Sequence, residues 1–157
     1  MPVVDLQSIK SHLSQNQSLL GLDLGSKTIG LAVSDPTLMI ASPIDTIKRT
    51  KFTADANRLM DINKNRNIGG WVLGMPVEMG GFEGARCQST RQFSANFMEL
   101  SDIPIAFWDE RLSSSAVNRF LIDEADMTRK RRGHVVDKMA AGYILQGALD
   151  SLGYGSL

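Results

Sequence analysis

Residues 19–35, LLGLDLGSKTIGLAVSD, constrain this chain more than any other segment, because they set one carboxylate inside an apolar strand. Side chains of an extended segment alternate between faces. Leu20, Leu22 and Leu24 therefore share one face, and Asp23 lies on the other with Gly21. A carboxylate in a buried strand is costly unless it is paired, hydrogen-bonded or bound to a metal. Gly25-Ser26 supplies a turn, and residues 28–34 alternate again, Ile29, Leu31 and Val33 against Gly30, Ala32 and Ser34. The unit reads as a β-hairpin. Two readings of Asp23 stay open at this point: it hydrogen-bonds the turn that follows it, or it belongs to a functional site.

The remaining elements are sorted by period. Residues 40–47 form a third strand, and Pro43 within it places that strand at the sheet border. A helix follows from Thr53, which caps it, with Phe52, Ala56, Leu59, Met60 and Asn63 at helical spacing, stopping by Gly69-Gly70. Residues 71–75 (WVLGM) are apolar throughout, as in a central strand covered on both faces. A loop over 76–84 leads to a helix near 85–100 that turns Phe93, Phe97 and Leu100 to the sheet. Residues 104–110 (PIAFWDE) are a fifth strand, and 113–115 cap a helix bearing Ala116, Val117, Phe120 and Leu121. The last helix, 135–149, carries Val136, Met139, Ala140, Tyr143, Ile144 and Gly147 as its stripe. The order β-β-β-α-β-α-β-α-α predicts an α/β domain with a mixed sheet, strands one, four and five parallel and helices on both faces.

A chain of 157 residues, 43% of them hydrophobic, is ample for one domain and thin for two. The expected division is an N-terminal extension over 1–17, a single domain over 18–152 and a short tail over 153–157. No apolar run approaches the roughly 20 residues of a membrane span, and the polar N-terminus lacks a signal-peptide layout. One cysteine, Cys87, excludes an intrachain disulfide and fits a reducing cytoplasm. With 17 basic and 17 acidic residues the net charge is zero, so attraction for polyanions must come from local patches. Arg129, Lys130, Arg131 and Arg132 form one such patch; ordinarily this is a solvated connection between helices, but here it directly precedes the helix carrying Asp137.

Ligands gather at the C-terminal ends of parallel strands. Asp23 is near that end of strand one, Asp109-Glu110 closes strand five, and Asp137 lies in the first turn of the last helix. The small residues Ala140, Ala141 and Gly142 let that helix approach the sheet closely. Each acid also has an ordinary role open to it. Glu110 can form a surface ion pair with Arg111, and Asp137 can complement a helix dipole for ~0.3–1 kcal/mol. Asp109 points away from Glu110 in a regular strand, and Asp35, at the far end of the sheet, is a turn residue. If Asp23, Glu110 and Asp137 converge, they repel unless divalent cations sit between them, and oxygen ligands favour Mg²⁺ or Mn²⁺. Two such ions about 3.5–4 Å apart serve phosphodiester hydrolysis. His12 and His134 sit in a polar tail and a basic turn, and offer no rival triad.

GLDLGSKTIGLAVSD (21–35), VLGMPVEMGG (72–81), WDERLSSSAV (108–117) and HVVDKMAAGYILQGALD (134–150) together resemble the YqgF/RuvX family of ribonuclease H-like proteins, described as resolvases and as nucleases of the pre-16S rRNA 5′ end. The resemblance spans nearly everything from Leu19 to Asp150. It implies a ribonuclease H-like five-stranded sheet of order 3-2-1-4-5. It also implies Asp23, Glu110 and Asp137 as catalytic metal-binding acids, and Lys27, Arg111, Arg131 and Arg132, with their neighbours Arg129 and Lys130, as nucleic-acid contacts. Gly74 and Pro76 match the family's glycine-proline signature. Two departures stand out. Thr28 occupies a position where many members have arginine, and Met75-Pro76 stands where junction-resolving relatives place their second acid. Strand five must then reach across two sheet spacings, roughly 9–10 Å.

The leading expectation is a Mg²⁺- or Mn²⁺-dependent nuclease, monomer or homodimer, acting on structured RNA in ribosome biogenesis. A DNA junction is the alternative substrate, and its two-fold symmetry favours a dimer. A non-catalytic binding module on ribosomal or transcription machinery is the alternative of another class. An actin-like kinase needs two such domains, for which the chain is too short.

Overall fold

The computed structural model describes residues 3–77, 83–110 and 129–155, the side chains of 129–138 and 154–155 lying outside that description. A 3-10 helix (Leu6–His12) precedes β1 (Ser18–Leu24), β2 (Thr28–Ser34) and β3 (Ala41–Lys48). Then come α1 (Phe52–Asn65), β4 (Ile68–Met75), α2 (Ala85–Met98), β5 (Ile105–Asp109) and α3 (Arg129–Gly155). The sheet order is β3-β2-β1-β4-β5, with β1 antiparallel to β2 and parallel to β4, and β4 parallel to β5. This is the mixed five-stranded sheet of order 3-2-1-4-5. Among the described residues no helix is long and apolar enough to cross a membrane.

Alternation in the strands creates two apolar layers. On one face Leu20, Leu22, Leu24, Ile29, Leu31 and Trp71 pack against Ala56 and Leu59 of α1 and Phe93 and Phe97 of α2. The Trp71 and Phe97 rings lie 4.1 Å apart, and the Trp71 indole donates to Asn63 Oδ1 at 2.8 Å. On the other face Leu19, Ala32, Val72 and Ala106 meet α3 through Ala141, Ile144, Leu145, Ala148, Leu149 and Leu152. Gly21 is what lets α3 lie so close. A Cβ there would come within 2.7 Å of Leu145 Cβ and 3.2 Å of the Ala141 carbonyl oxygen, so any side chain would force the helix away.

β3 is a border strand, and its register with β2 shifts between Leu31 and Ala32, opposite Asp45 and Pro43. That is where an imino acid without an N–H fits. Asp35 is the turn residue expected: its carboxylate accepts from the Thr37 hydroxyl and from the backbone N–H of Thr37, Met39 and Ile40, which holds its pKa down at about 2.

Several local expectations are corrected. Lys51, not Thr53, precedes α1, and no side chain caps it directly; buried Asp55 instead reaches back to accept from the Thr50 N–H and hydroxyl. The first helix ends at Asn65, before Gly69-Gly70 as expected, but the next strand starts at Ile68 rather than Trp71, so Gly69 and Gly70 lie inside β4, where Leu13, Gln17 and Ile9 crowd their α-carbons. Leu100 is exposed, because α2 ends at Met98. On α3 Ile144 is buried and Gly147 abuts the Trp108 ring, as the expected stripe requires, but Tyr143 of that stripe is exposed, and Ala141, Leu145 and Ala148 outside it are fully covered. Residues 129–134 are helical, so neither the basic run nor His134 occupies a turn. The predicted helix after 113 and the glycines at 80 and 81 lie outside the described residues. The segment before β1 packs tightly, with Ile9 fully buried and Val3 bridged to Ile105.

Candidate active site

Asp23 is the penultimate residue of β1, on the α3 face of the sheet, and Glu110 directly follows β5. β4 lies between them, so their carboxyl groups can meet only if something on β4 yields space. Gly74 does so. It pairs with Trp108 of β5, and a Cβ built on it would fall 2.5 Å from Glu110 Oε1, 2.9 Å from Glu110 Cγ and 2.5 Å from Ile144 Cδ1. The Glu110 side chain therefore occupies the gap left by the missing side chain. It crosses the sheet far enough to hydrogen-bond Asp23. Two carboxyl groups sharing a hydrogen bond require one proton between them.

The pair shares that proton, and the Glu110 pKa is pushed up to about 8. Burial is the largest cause, followed by the Asp23 charge and the hydrogen bond to Asp23; Asp109 adds to the rise and Arg86 opposes it. Folded protein thus holds a proton that the unfolded chain, near 4.5, releases. The stability this contributes is fully present below the unfolded value and is lost as pH rises through about 8. In chelator, the thermal midpoint is expected to fall from pH 5 to pH 8.5, and Glu110→Gln to flatten that fall. A midpoint that rises over the interval, or an unchanged slope in the variant, would contradict the shared proton.

The pair is also a sensible cation site. Its donors are all carboxylate oxygens, its proton is displaceable, and its surroundings are desolvated. Among the described residues no group of three or more His, Cys, Asp or Glu is placed to hold a metal. Asp137, the third acid expected, lies on α3 with its side chain outside the described residues. It stands more than two turns into that helix rather than in a first turn. The dipole explanation for it therefore falls away, since that effect is confined to the terminal turn.

Of the cations expected, Lys27 is exposed on the β1–β2 turn. Arg129, Lys130, Arg131 and Arg132 are helical residues of α3 whose side chains lie outside the description, and Arg111 lies outside the described residues altogether. The sequence reading missed two others. Arg49, just past β3, donates from Nη1 to the Gly25 carbonyl at 2.6 Å, while its backbone N–H reaches the Lys27 carbonyl at 2.8 Å. Its guanidinium lies over the Phe93 ring, 5.7 Å from the centroid. Arg86 sits in the first turn of α2, close enough to Glu110 to oppose the rise in its pKa. One signal existed for Arg86: a cation near a helix N-terminus works against the macrodipole.

Residues 17–151 match the family described as RuvX, Holliday junction resolvase. A protein of Paramagnetospirillum magneticum named "Putative pre-16S rRNA nuclease" is 62% identical over 96% of this chain and 97% of its own length. A Rhodospirillum rubrum protein with the same name is 57% identical over 97% and 94%. Among solved structures, T. thermophilus RuvC in complex with Holliday junction substrate superposes with a TM-score of 0.54 at 11% identity, covering 86% of this chain and 94% of that one. That likeness, at so low an identity, speaks to the fold.

Proposed function

The chain belongs to the RuvX family, and from that membership we propose that it is a nuclease hydrolysing phosphodiester bonds in structured RNA, acting in 5′-end maturation of pre-16S rRNA. The observation that carries the chemistry is the Asp23–Glu110 carboxyl pair at the C-terminal ends of parallel strands. Asp23, Glu110 and Asp137 are the residues that would hold Mg²⁺ or Mn²⁺. Bound there, such an ion would supply the positive charge that lowers the pKa of a water and stabilises the leaving oxygen. Asp23 orients the site from the rigid β1 backbone. Glu110 must give up its proton to act as a ligand, so activity rises with pH. Ile144, packed against Gly74, helps exclude bulk water. Lys27, Arg111, Arg129, Lys130, Arg131 and Arg132 hold the nucleic-acid backbone. The buried, lone Cys87 suits a reducing cytoplasm.

A second reading, supported by the family's description, makes junction DNA the substrate. The two are separated by incubating the purified chain with Mg²⁺ or Mn²⁺ and either a 16S precursor leader or a four-way DNA junction. Metal-dependent cutting of the leader is expected. Cutting of the junction alone would replace the RNA reading, and no cutting of either would end the nuclease proposal.

A further inference from the structure

Beside the acid pair, a cleft of about 460 Å³ opens between the β1–β2 turn, the residue after β3 and the start of α2. Its walls include Gly25, Ser26, Lys27, Arg49, Arg86 and Ser89. Three of the described lining residues are cationic and none is acidic, in a chain whose net charge is zero. A local concentration of one sign in a concave, low-dielectric surface focuses the field on an anion. The volume falls in the range of small-ligand pockets, enough for one nucleotide unit.

The cations are not equivalent. Arg49 is fixed from two sides, by the Gly25 carbonyl and the Phe93 ring, which leaves a pre-oriented guanidinium at the cleft wall. Arg91, on the same helix as Arg86, is engaged elsewhere: it pairs with Glu83 at 2.5 Å and stacks on Phe107. Arg86 instead lines the cleft and is close enough to Glu110 for its charge to act on that carboxyl, and Leu24 of the cleft wall directly follows Asp23 on β1, so the cleft adjoins the acid pair. We propose that this cleft is a substrate subsite holding a phosphate of the strand next to the bond being cut, gripped by Arg49, Arg86 and Lys27. The inference rests on the nuclease reading for the identity of that strand. Arg49 and Arg86 are then positioning residues that align the strand across Asp23 and Glu110.

The test uses the full chain carrying Asp23→Asn, so that RNA is bound but not consumed. The probe is a labelled single-stranded RNA whose affinity is followed over a salt series. Adding Arg86→Ala is expected to weaken binding about tenfold at low salt and to reduce the slope of log affinity against log salt by about 0.7, the value for one phosphate contact on a single strand. Arg49→Lys keeps the charge and loses the fixed fork, so it is expected to weaken binding with a smaller change in slope. Lys64→Ala, an equal charge change at the far end of α1, is expected to leave the slope alone. Unchanged affinity and slope in a folded Arg86→Ala protein would overturn the subsite, as would an equal loss in Lys64→Ala. Failure of the unsubstituted chain to cut any nucleic acid would instead remove the nuclease reading, and the binding series would still decide the cleft.

Discussion

Asp23→Asn is expected to bind the 16S precursor leader with nearly unchanged affinity and to cut it on the order of a thousandfold more slowly. Asparagine keeps the shape of the side chain and removes its charge, so β1 and its packing survive. What goes is the oxygen anion that faces Glu110 and that a cation would need. The same substitution removes the Asp23 charge, one of the causes that raise the Glu110 pKa, so Glu110 should ionise at lower pH in the variant. Single-turnover cleavage and equilibrium binding on one preparation separate the two effects. Cleavage at the original rate, in protein shown free of contaminating nuclease, would remove Asp23 from the chemistry.

Gly74→Ala is expected to damage activity far more than stability. The new methyl group would meet Glu110 Oε1 and Cγ and Ile144 Cδ1, all side-chain atoms and none of them backbone, so the fold can adjust at a cost of about 1 kcal/mol. Glu110 has no equivalent freedom in function, because displacement by roughly 1 Å takes its carboxyl off Asp23, and misplacement on that scale costs about a hundredfold in rate. The expected result is a thermal midpoint lowered by only about 2–4 °C with turnover down by two orders of magnitude. Full activity in the folded variant would show that Glu110 does not need the gap over β4.

The parts of the fold legible in the sequence were those where period and burial say the same thing. In the hairpin of β1 and β2, alternation placed Asp23 and Gly21 on one face and Leu20, Leu22 and Leu24 on the other, as observed. Pro43 marked the border strand by its missing N–H. What failed were local rules overridden by tertiary contact. Gly69-Gly70 has the composition of a loop, yet it belongs to the start of β4, where the segment before β1 packs over it. α3 is apolar around much of its circumference, so spacing alone could not choose between adjacent stripes. The basic run at 129–132 lies before the predicted start of the last helix, yet it is helical, since Arg and Lys are good helix formers.

The candidate site divides the same way. Burial singles out Asp23 and its place at the end of a strand singles out Glu110, and the two side chains meet in the structure. The means by which they meet was not legible, since the significance of Gly74 depends on which strand lies between them. Arg49 and Arg86 were missed because neither belongs to a motif. They come together only when the residue after β3, the β1–β2 turn and α2 are assembled in space.

Both borders of the sheet are blunted, one by Pro43 and the other by the N-terminal segment, whose Val3 bridges Ile105 and whose Val4 N–H donates to the Ile105 carbonyl at 2.9 Å. Exposed borders are templates on which further chains polymerise by backbone pairing. Here that route is interrupted at Pro43 on one border and at Ile105 on the other, which shifts recognition of a second macromolecule toward side chains at the strand ends and on the helices.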